Sequence, residues 1–323
     1  MNLFRPRWFC ISLCCCTTAV LADPLSIRDL NPLLSGYELP PALPSSPPET
    51  SALAAELSIG NISLNQHTAR ESLQLDGELE RWQFSFSKPI SESLGMRIEL
   101  PYVHLSGGYL DSFIESFHKT FGFPNGNRDL VPTKRLLIQH ARDAQMDFDL
   151  SEAQHGIGDV TLRMAQRLGP EKSANQIFNN TLWVSLKLPT GNAHQLTGSD
   201  SVDMAISLAS TQQLGERFIT QQQVSMSLLG HGERLSDQQN STVWSGSLGV
   251  DAKVTQRWSA AIQLYGHTRV FVTDLRGLGP ALQLSLGPRY QSNAWSGEFV
   301  ISEDIAVDTA PDVQFQLGIA RRY

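Results

Sequence analysis

The sequence predicts an all-β fold, a transmembrane antiparallel up-and-down β-barrel of twelve strands. Three observations carry this: strict apolar/polar alternation along most of the chain, short connections alternating with long ones, and a last strand ending in an aromatic residue.

The chain opens with an export leader. Arg5 and Arg7 precede the apolar stretch Trp8 to Ala19, and Val20-Leu21-Ala22 supplies a small-residue cleavage site, so residues 1–22 are expected to be removed after Ala22. All four cysteines, Cys10, Cys14, Cys15 and Cys16, lie inside this leader, which excludes disulfides, thiol catalysis and Cys-based zinc sites from the mature protein. None follows a small residue, which argues against a lipid-anchored cysteine. The formal net charge is −7, and loss of Arg5 and Arg7 makes it more negative, so nucleic acid is not an expected partner. No apolar run in the mature chain is long enough for a transmembrane helix.

Residues 23–50 form a proline-rich arm carrying Pro24, Pro32, Pro40, Pro41, Pro44, Pro47 and Pro48, which cannot form a regular central strand. Two fates are open to it: a flexible periplasmic tail, or an arm that enters and narrows the lumen. Leu30, Leu33, Leu34, Tyr37 and Leu39 favour some docking, because a fully solvated tail has little use for them.

Residues 51–323 are assigned to the barrel. A weak first strand near Leu53 to Leu64 is followed by Trp82, Phe84, Phe86; Leu94, Met96, Ile98, Leu100; Val160, Leu162, Met164; and Leu182, Val184, Leu186, Leu188. The pattern continues through Val202, Met204, Ile206, Leu208; Val224, Met226, Leu228; Trp244, Leu248, Val250; and Trp258, Ile262, Leu264. It ends with Leu282, Leu284, Leu286; Trp295, Phe299, Ile301; and Phe315, Leu317, Ile319. Alternation alone does not separate a soluble sandwich from a membrane barrel. Connections do: short links near 88–93, 169–175, 212–216, 255–257 and 291–294 alternate with mostly longer ones at 106–155, 189–201, 230–241, 271–279 and 302–311. That is the layout of a bacterial outer-membrane barrel, with both chain ends on the periplasmic side. The ending Phe315, Leu317, Ile319, Tyr323 matches an assembly signal read by the barrel assembly machinery.

In this register the polar face places Arg97, Glu99, Arg163, Lys187, Asp203, Asp251, His267, Arg269, Arg289 and Glu298 along the lumen. Arg97, Arg163, Arg269 and Arg289 are expected to pair with Glu99, Asp203, Asp251 or Glu298, since unpaired charge in a narrow interior is costly. The loop 106–155 is far longer than a hairpin needs. Within it Leu110, Phe113, Ile114, Phe117 and Phe121 recur at helical spacing, predicting a short helix over one mouth, with Phe113, Phe117 and Phe121 as gate candidates.

No zincin, phosphate-loop or nucleophile-elbow motif occurs, and Gly156 and Gly158 precede a strand rather than the helix of a dinucleotide site. His104, His118, His140 and His155 lie near the predicted outer rim, where a Ser-His lipid hydrolase would place its pair; structural roles are the simpler reading. The acidic groups Asp143, Asp147, Asp149, Glu152, Asp159 and Glu303, Asp304, Asp308, Asp312 read as solvated loop charge rather than a cation site. No cofactor, metal or catalytic residue is assigned. The expected partners are outer-membrane lipids, lipopolysaccharide and a small-molecule ligand of unspecified identity.

Several strings carry a family resemblance: Glu99-Leu100-Pro101-Tyr102, Gly107-Gly108-Tyr109-Leu110-Asp111, Phe117-His118, Phe121-Gly122-Phe123-Pro124, Gly156-Ile157-Gly158-Asp159, Lys187-Leu188-Pro189-Thr190-Gly191, Leu196-Thr197-Gly198-Ser199, and Ser302-Glu303-Asp304 with Pro311-Asp312. Together they resemble an uncharacterised proteobacterial family of predicted outer-membrane proteins, grouped as a domain of unknown function. More loosely, the chain is similar to barrels encoded with phenol meta-pathway degradation genes. The resemblance implies a Gram-negative outer-membrane barrel. From the looser relatives it implies a channel or binding barrel for small molecules, apolar ones included. A rim lipid hydrolase and a structural envelope protein are the alternatives.

Overall fold

The structure, a computed structural model, describes residues 23–110, 134–169, 178–306 and 309–323. Among these residues fifteen strands form one sheet: β1 (Ala52–His67), β2 (Glu71–Pro89), β3 (Leu94–Ser106), β4 (Leu137–Arg142), β5 (Gln145–Leu150), β6 (Gln154–Ile157), β7 (Thr161–Leu168), β8 (Phe178–Lys187), β9 (Asp203–Leu214), β10 (Phe218–Leu228), β11 (Thr242–Lys253), β12 (Trp258–His267), β13 (Ala281–Gln291), β14 (Trp295–Asp304) and β15 (Val313–Arg322). Twelve of them close a ring in which each strand pairs antiparallel with its neighbour, β3 with β7 and β15 back to β1 from Ala52↔Arg322 to Asn61↔Val313. Closure leaves the wall without a free edge, the condition for a sheet in lipid.

By the convention of outer-membrane barrels, the end with the short turns and the C-terminal Tyr323 is the periplasmic one. The opposite end carries the long connections, with one departure: β1 and β2 are joined by residues 68–70 alone, and the strands themselves are long instead, 16 and 19 residues. A tilted span needs only about 9–11 residues, so this hairpin stands well clear of the barrel. Its outer part is widened by β4, paired to Glu71–Asp76 of β2, and by β5 beyond it. The short β6 pairs with the outer part of β3. The described part of the chain between β3 and β7 therefore contributes three strands. The helix expected near Leu110 to Pro124, with Phe113, Phe117 and Phe121, falls on residues 111–133, outside the described residues. Among the described residues the helical structure is one 3-10 turn, Arg276–Leu278, and no helix is long and apolar enough to cross a membrane.

In the part of the wall away from the outer ends of β1 to β3, the apolar faces of the strands point outward. Phe84 is 47% exposed, Ile206 47%, Leu248 56% and Leu317 60%, whereas a soluble sandwich would bury them. Aromatic residues gather where strands meet the short turns. Phe178, Phe218, Trp258 and Trp295 each begin a strand at the periplasmic end, and Tyr290 and Tyr323 lie nearby. The Trp258 and Tyr290 rings meet at a 60° tilt with 5.2 Å between centroids, and the Arg321 guanidinium lies 5.4 Å from the Trp295 ring and 4.9 Å from the Tyr323 ring. This is the aromatic girdle of a membrane barrel.

Candidate functional site

The interior is closed by the chain's own N-terminal arm. Seven prolines in residues 23–50 remove seven N–H groups that a buried segment would otherwise have to satisfy. The arm makes one excursion up the lumen and back. Its ascending limb, Pro24 to Leu30, runs along β12 to β14. The Leu25 N–H donates to Gln263 Oε1 at 3.0 Å and the Gln263 Nε2 donates back to the Leu25 carbonyl at 2.8 Å. Higher up, Asp29 pairs with His267 at 3.0 Å.

At the apex, Asn31 turns the chain. Its backbone carbonyl accepts from Leu34 and Ser35, its Oδ1 from the Leu33 N–H, and its side-chain amide donates to the Gly277 carbonyl. Gly36 lies so close to the β8–β9 loop that a Cβ there would sit 2.8 Å from the Gly198 carbonyl carbon. Leu30, Leu33, Leu34, Tyr37 and Leu39 join Ile62, Leu73, Leu75, Leu79, Val103, Leu105 and Phe271 in an apolar cluster inside the outer mouth. Tyr37 meets Phe271 edge-on at 5.8 Å.

The descending limb, Glu38 to Glu49, runs along β7 to β10. Glu38 receives Arg163 at 2.5 Å, and its N–H donates to Asp203 at 3.0 Å. Gln223 Nε2 donates to the Pro41 carbonyl and Gln223 Oε1 accepts from the Leu43 N–H. Trp183 Nε1 donates to the Pro44 carbonyl at 2.8 Å, and the Thr181 hydroxyl to that of Ser45. Gly95 of β3 leaves room for Pro48, whose Cδ would lie 2.5 Å from a Cβ at that position.

The predicted lumen residues fall into three groups. Arg163 bridges Glu38 and Glu99, and Glu99 also takes Arg28 of the arm at 3.0 Å. Lys187 lies 2.6 Å from Asp159 and 3.2 Å from Asp203, and Arg289 lies 3.0 Å from Asp251 and 3.3 Å from Glu298. Arg97 does not take a carboxylate in these pairings: it donates to Ser87 and lies 5.6 Å from the Trp183 ring centroid. Arg269 requires correction. β12 ends at His267, so Arg269 lies beyond the alternating register, exposed in the following loop, where it donates to the Thr273 carbonyl. The sequence reading paired the arginines only with wall acids and missed Glu38 and Asp29. Asp29 and Glu38, set among apolar residues of the arm and opposite a lumen with several basic residues, were the available signal.

The outer end holds a cleft of about 470 Å³ between Thr68–Glu71, Arg142, Gln238 and Arg269–Asp274. Its rim is tied by Arg70–Asp143 and Arg142–Asp237, and these hydrogen bonds hold both aspartates below the usual carboxylate range. Deeper, burial lowers the Arg234 guanidinium to about 10 while it donates to the Gly198 carbonyl. The cavity beside Arg28, Tyr37, Glu38 and Lys187 measures only about 10 Å³, about one water.

His104 contacts Glu80, His140 contacts Asp147 and His155 lies against Tyr102, while His118 is outside the described residues. No His–Ser hydrogen bond and no cluster of three or more metal-binding side chains occurs among the described residues. Asp304 is occupied by Thr309 and Ala310 of its own loop.

Among solved structures, the fold is similar to the COG4313 outer membrane channel from Pseudomonas putida F1, with TM-score 0.56 at 14% identity over 85% of this chain and 96% of that one. Weaker likenesses include the KdgM porin in complex with disordered oligogalacturonate (TM-score 0.45, 6% identity, 84% and 99% covered). Another is the TodX deltaS2S3 mutant monoaromatic hydrocarbon channel (TM-score 0.43, 11% identity, 85% and 89% covered). Identities this low speak for the barrel fold alone. No curated protein matches the sequence. Residues 9–323 match the family described as "Protein of unknown function (DUF3187)", and the chain belongs to that family.

Proposed function

We propose that the protein, exported with loss of residues 1–22 and inserted by the barrel assembly machinery among outer-membrane lipids and lipopolysaccharide, is a channel for small molecules. Its N-terminal arm closes the lumen and must shift for passage. The observation that carries this reading is the manner of closure. The arm is joined to the wall through side-chain hydrogen bonds and ion pairs, Leu25–Gln263, Asp29–His267 and Glu38–Arg163, and adds no strand to the ring. Such contacts can be exchanged without opening the sheet.

A structural envelope barrel is the second reading. It is favoured by the density of the same interior, where Arg163, Asp203 and Trp183 are fully buried against the arm. Proteoliposome swelling separates the two. A barrel lacking residues 23–49 should admit small sugars and aromatic solutes many times faster than the intact protein. Equal, negligible swelling by both proteins, despite folded insertion, would leave the structural role.

A further inference from the structure

We infer that the wall beneath the ascending limb is a binding site for N-acylated apolar α-amino acids and short apolar peptides, for which the segment Leu25–Ile27 is a built-in occupant. The inference rests on the channel reading only in supposing that the limb can leave.

Gln263 is the recognition element. Its carboxamide takes both the N–H and the C=O of one residue, Leu25, at 3.0 and 2.8 Å. That two-point pairing requires a donor and an acceptor spaced as across a single α-carbon, so a hydrocarbon or a simple phenol cannot reproduce it. Ala261, Tyr265 and Val300 surround the side chains of Leu25 and Ile27, giving the apolar body of a ligand its seat. The polar surroundings exceed what the limb uses. Gln283 Oε1 is buried without a hydrogen-bond partner. Gln283 lies directly opposite Tyr265 in the β12–β13 register, next to the seat. A buried amide left unpaired is destabilising, and the side chains of Leu25 and Ile27 offer Gln283 no donor. A ligand with a second amide does. The wall repeats the device at Gln223, which reads the Pro41 carbonyl and the Leu43 N–H of the descending limb.

The limb and a free ligand compete for Gln263, so apparent affinity is reduced by the fraction of time the limb is seated. Asp29 holds the limb through His267 without entering the seat. Weakening it should therefore strengthen ligand binding.

The test uses the full-length protein carrying Ile27→Cys, the only thiol once the leader is removed, with N-acetyl-L-leucine methylamide as probe. The probe should raise the rate of thiol labelling in a saturable way. Asp29→Asn should lower the half-saturating concentration by about tenfold, the loss of one charge-assisted hydrogen bond, and Gln263→Leu should abolish the response. The analogue methylated on the leucine nitrogen should be inactive. Labelling unmoved by probe in both parent and Asp29→Asn proteins, or a response that survives Gln263→Leu or nitrogen methylation, would overturn the site. Solute flux through the arm-deleted barrel reads the channel independently: flux without probe binding removes the site and keeps the channel, and probe binding without flux does the reverse.

Discussion

Replacing Arg163 with methionine should be among the most damaging single changes in this protein. The guanidinium is fully buried and reaches Glu38 at 2.5 Å, Glu99 at 3.0 Å and the Ser185 hydroxyl at 2.6 Å. Its loss removes the direct ion pair of Glu38 and leaves Glu99 paired directly with Arg28. Removing one partner of a buried pair costs about 3–5 kcal/mol, because the remaining charge stays desolvated. Glu38→Gln keeps an acceptor for Arg163 and should cost less, about 1–3 kcal/mol. Replacing both by methionine removes both orphaned charges and should recover most of the Arg163→Met loss. Urea unfolding in lipid vesicles, followed by tryptophan fluorescence, gives the stabilities. Limited proteolysis of residues 23–50 reports whether the arm has left the lumen. If Arg163→Met unfolds within about 0.5 kcal/mol of the parent with the arm still protected, well below the expected range, the ion pair does not seat the arm.

Val184, mid-strand on β8 and 39% exposed, should tolerate lysine poorly in bilayers, losing about 2–4 kcal/mol if it faces the hydrocarbon midplane; vesicle unfolding titrations measure this. Gly95→Leu should cost about 1–3 kcal/mol through overpacking and free the base of the arm at Pro48, read as a new protease site before Ala52. Asp143 and Asp237 have depressed folded-state pKa values through Arg70 and Arg142, so their contribution is present above the ordinary carboxylate pKa and lost as pH falls through the lower folded value. Amide exchange in the β4–β5 hairpin, corrected for intrinsic rate, should lose protection at pH 2.5 but not at pH 5, and Asp143→Asn should show part of that loss at pH 5. Deleting Tyr323, which carries the Arg321 contact, should reduce assembly, seen as loss of heat-modifiable gel migration from the outer-membrane fraction.

The barrel was legible because period-2 alternation is a local property. The strands around Trp82–Phe86, Leu182–Leu186 and Leu282–Leu286 face as their sequence says. The outer half of β2 was not legible as wall. There Leu73 and Leu75 point inward against the arm, which inverts the rule that apolar residues face lipid once the strand has left the membrane. Arg269 was misassigned by extending the same rule past the end of β12. The arm's path could not be read from periodicity, since proline-rich segments have none. Its apolar residues indicated docking, but the side chains that seat it, Gln263, Gln223, Trp183 and His267, lie more than a hundred residues away. Only closure of the ring brings them to it.

The central claim is that the arm closes a lumen that would otherwise conduct, and single-channel recording in planar bilayers tests it most directly. The intact protein should show little steady conductance, and the barrel lacking residues 23–49 should show stable open levels. Tying the arm to the wall by cysteines at Ser45 and Thr211, whose hydroxyls lie 2.6 Å apart, should leave the intact channel silent. Open levels of equal size in the intact, tied and arm-deleted proteins would contradict the account.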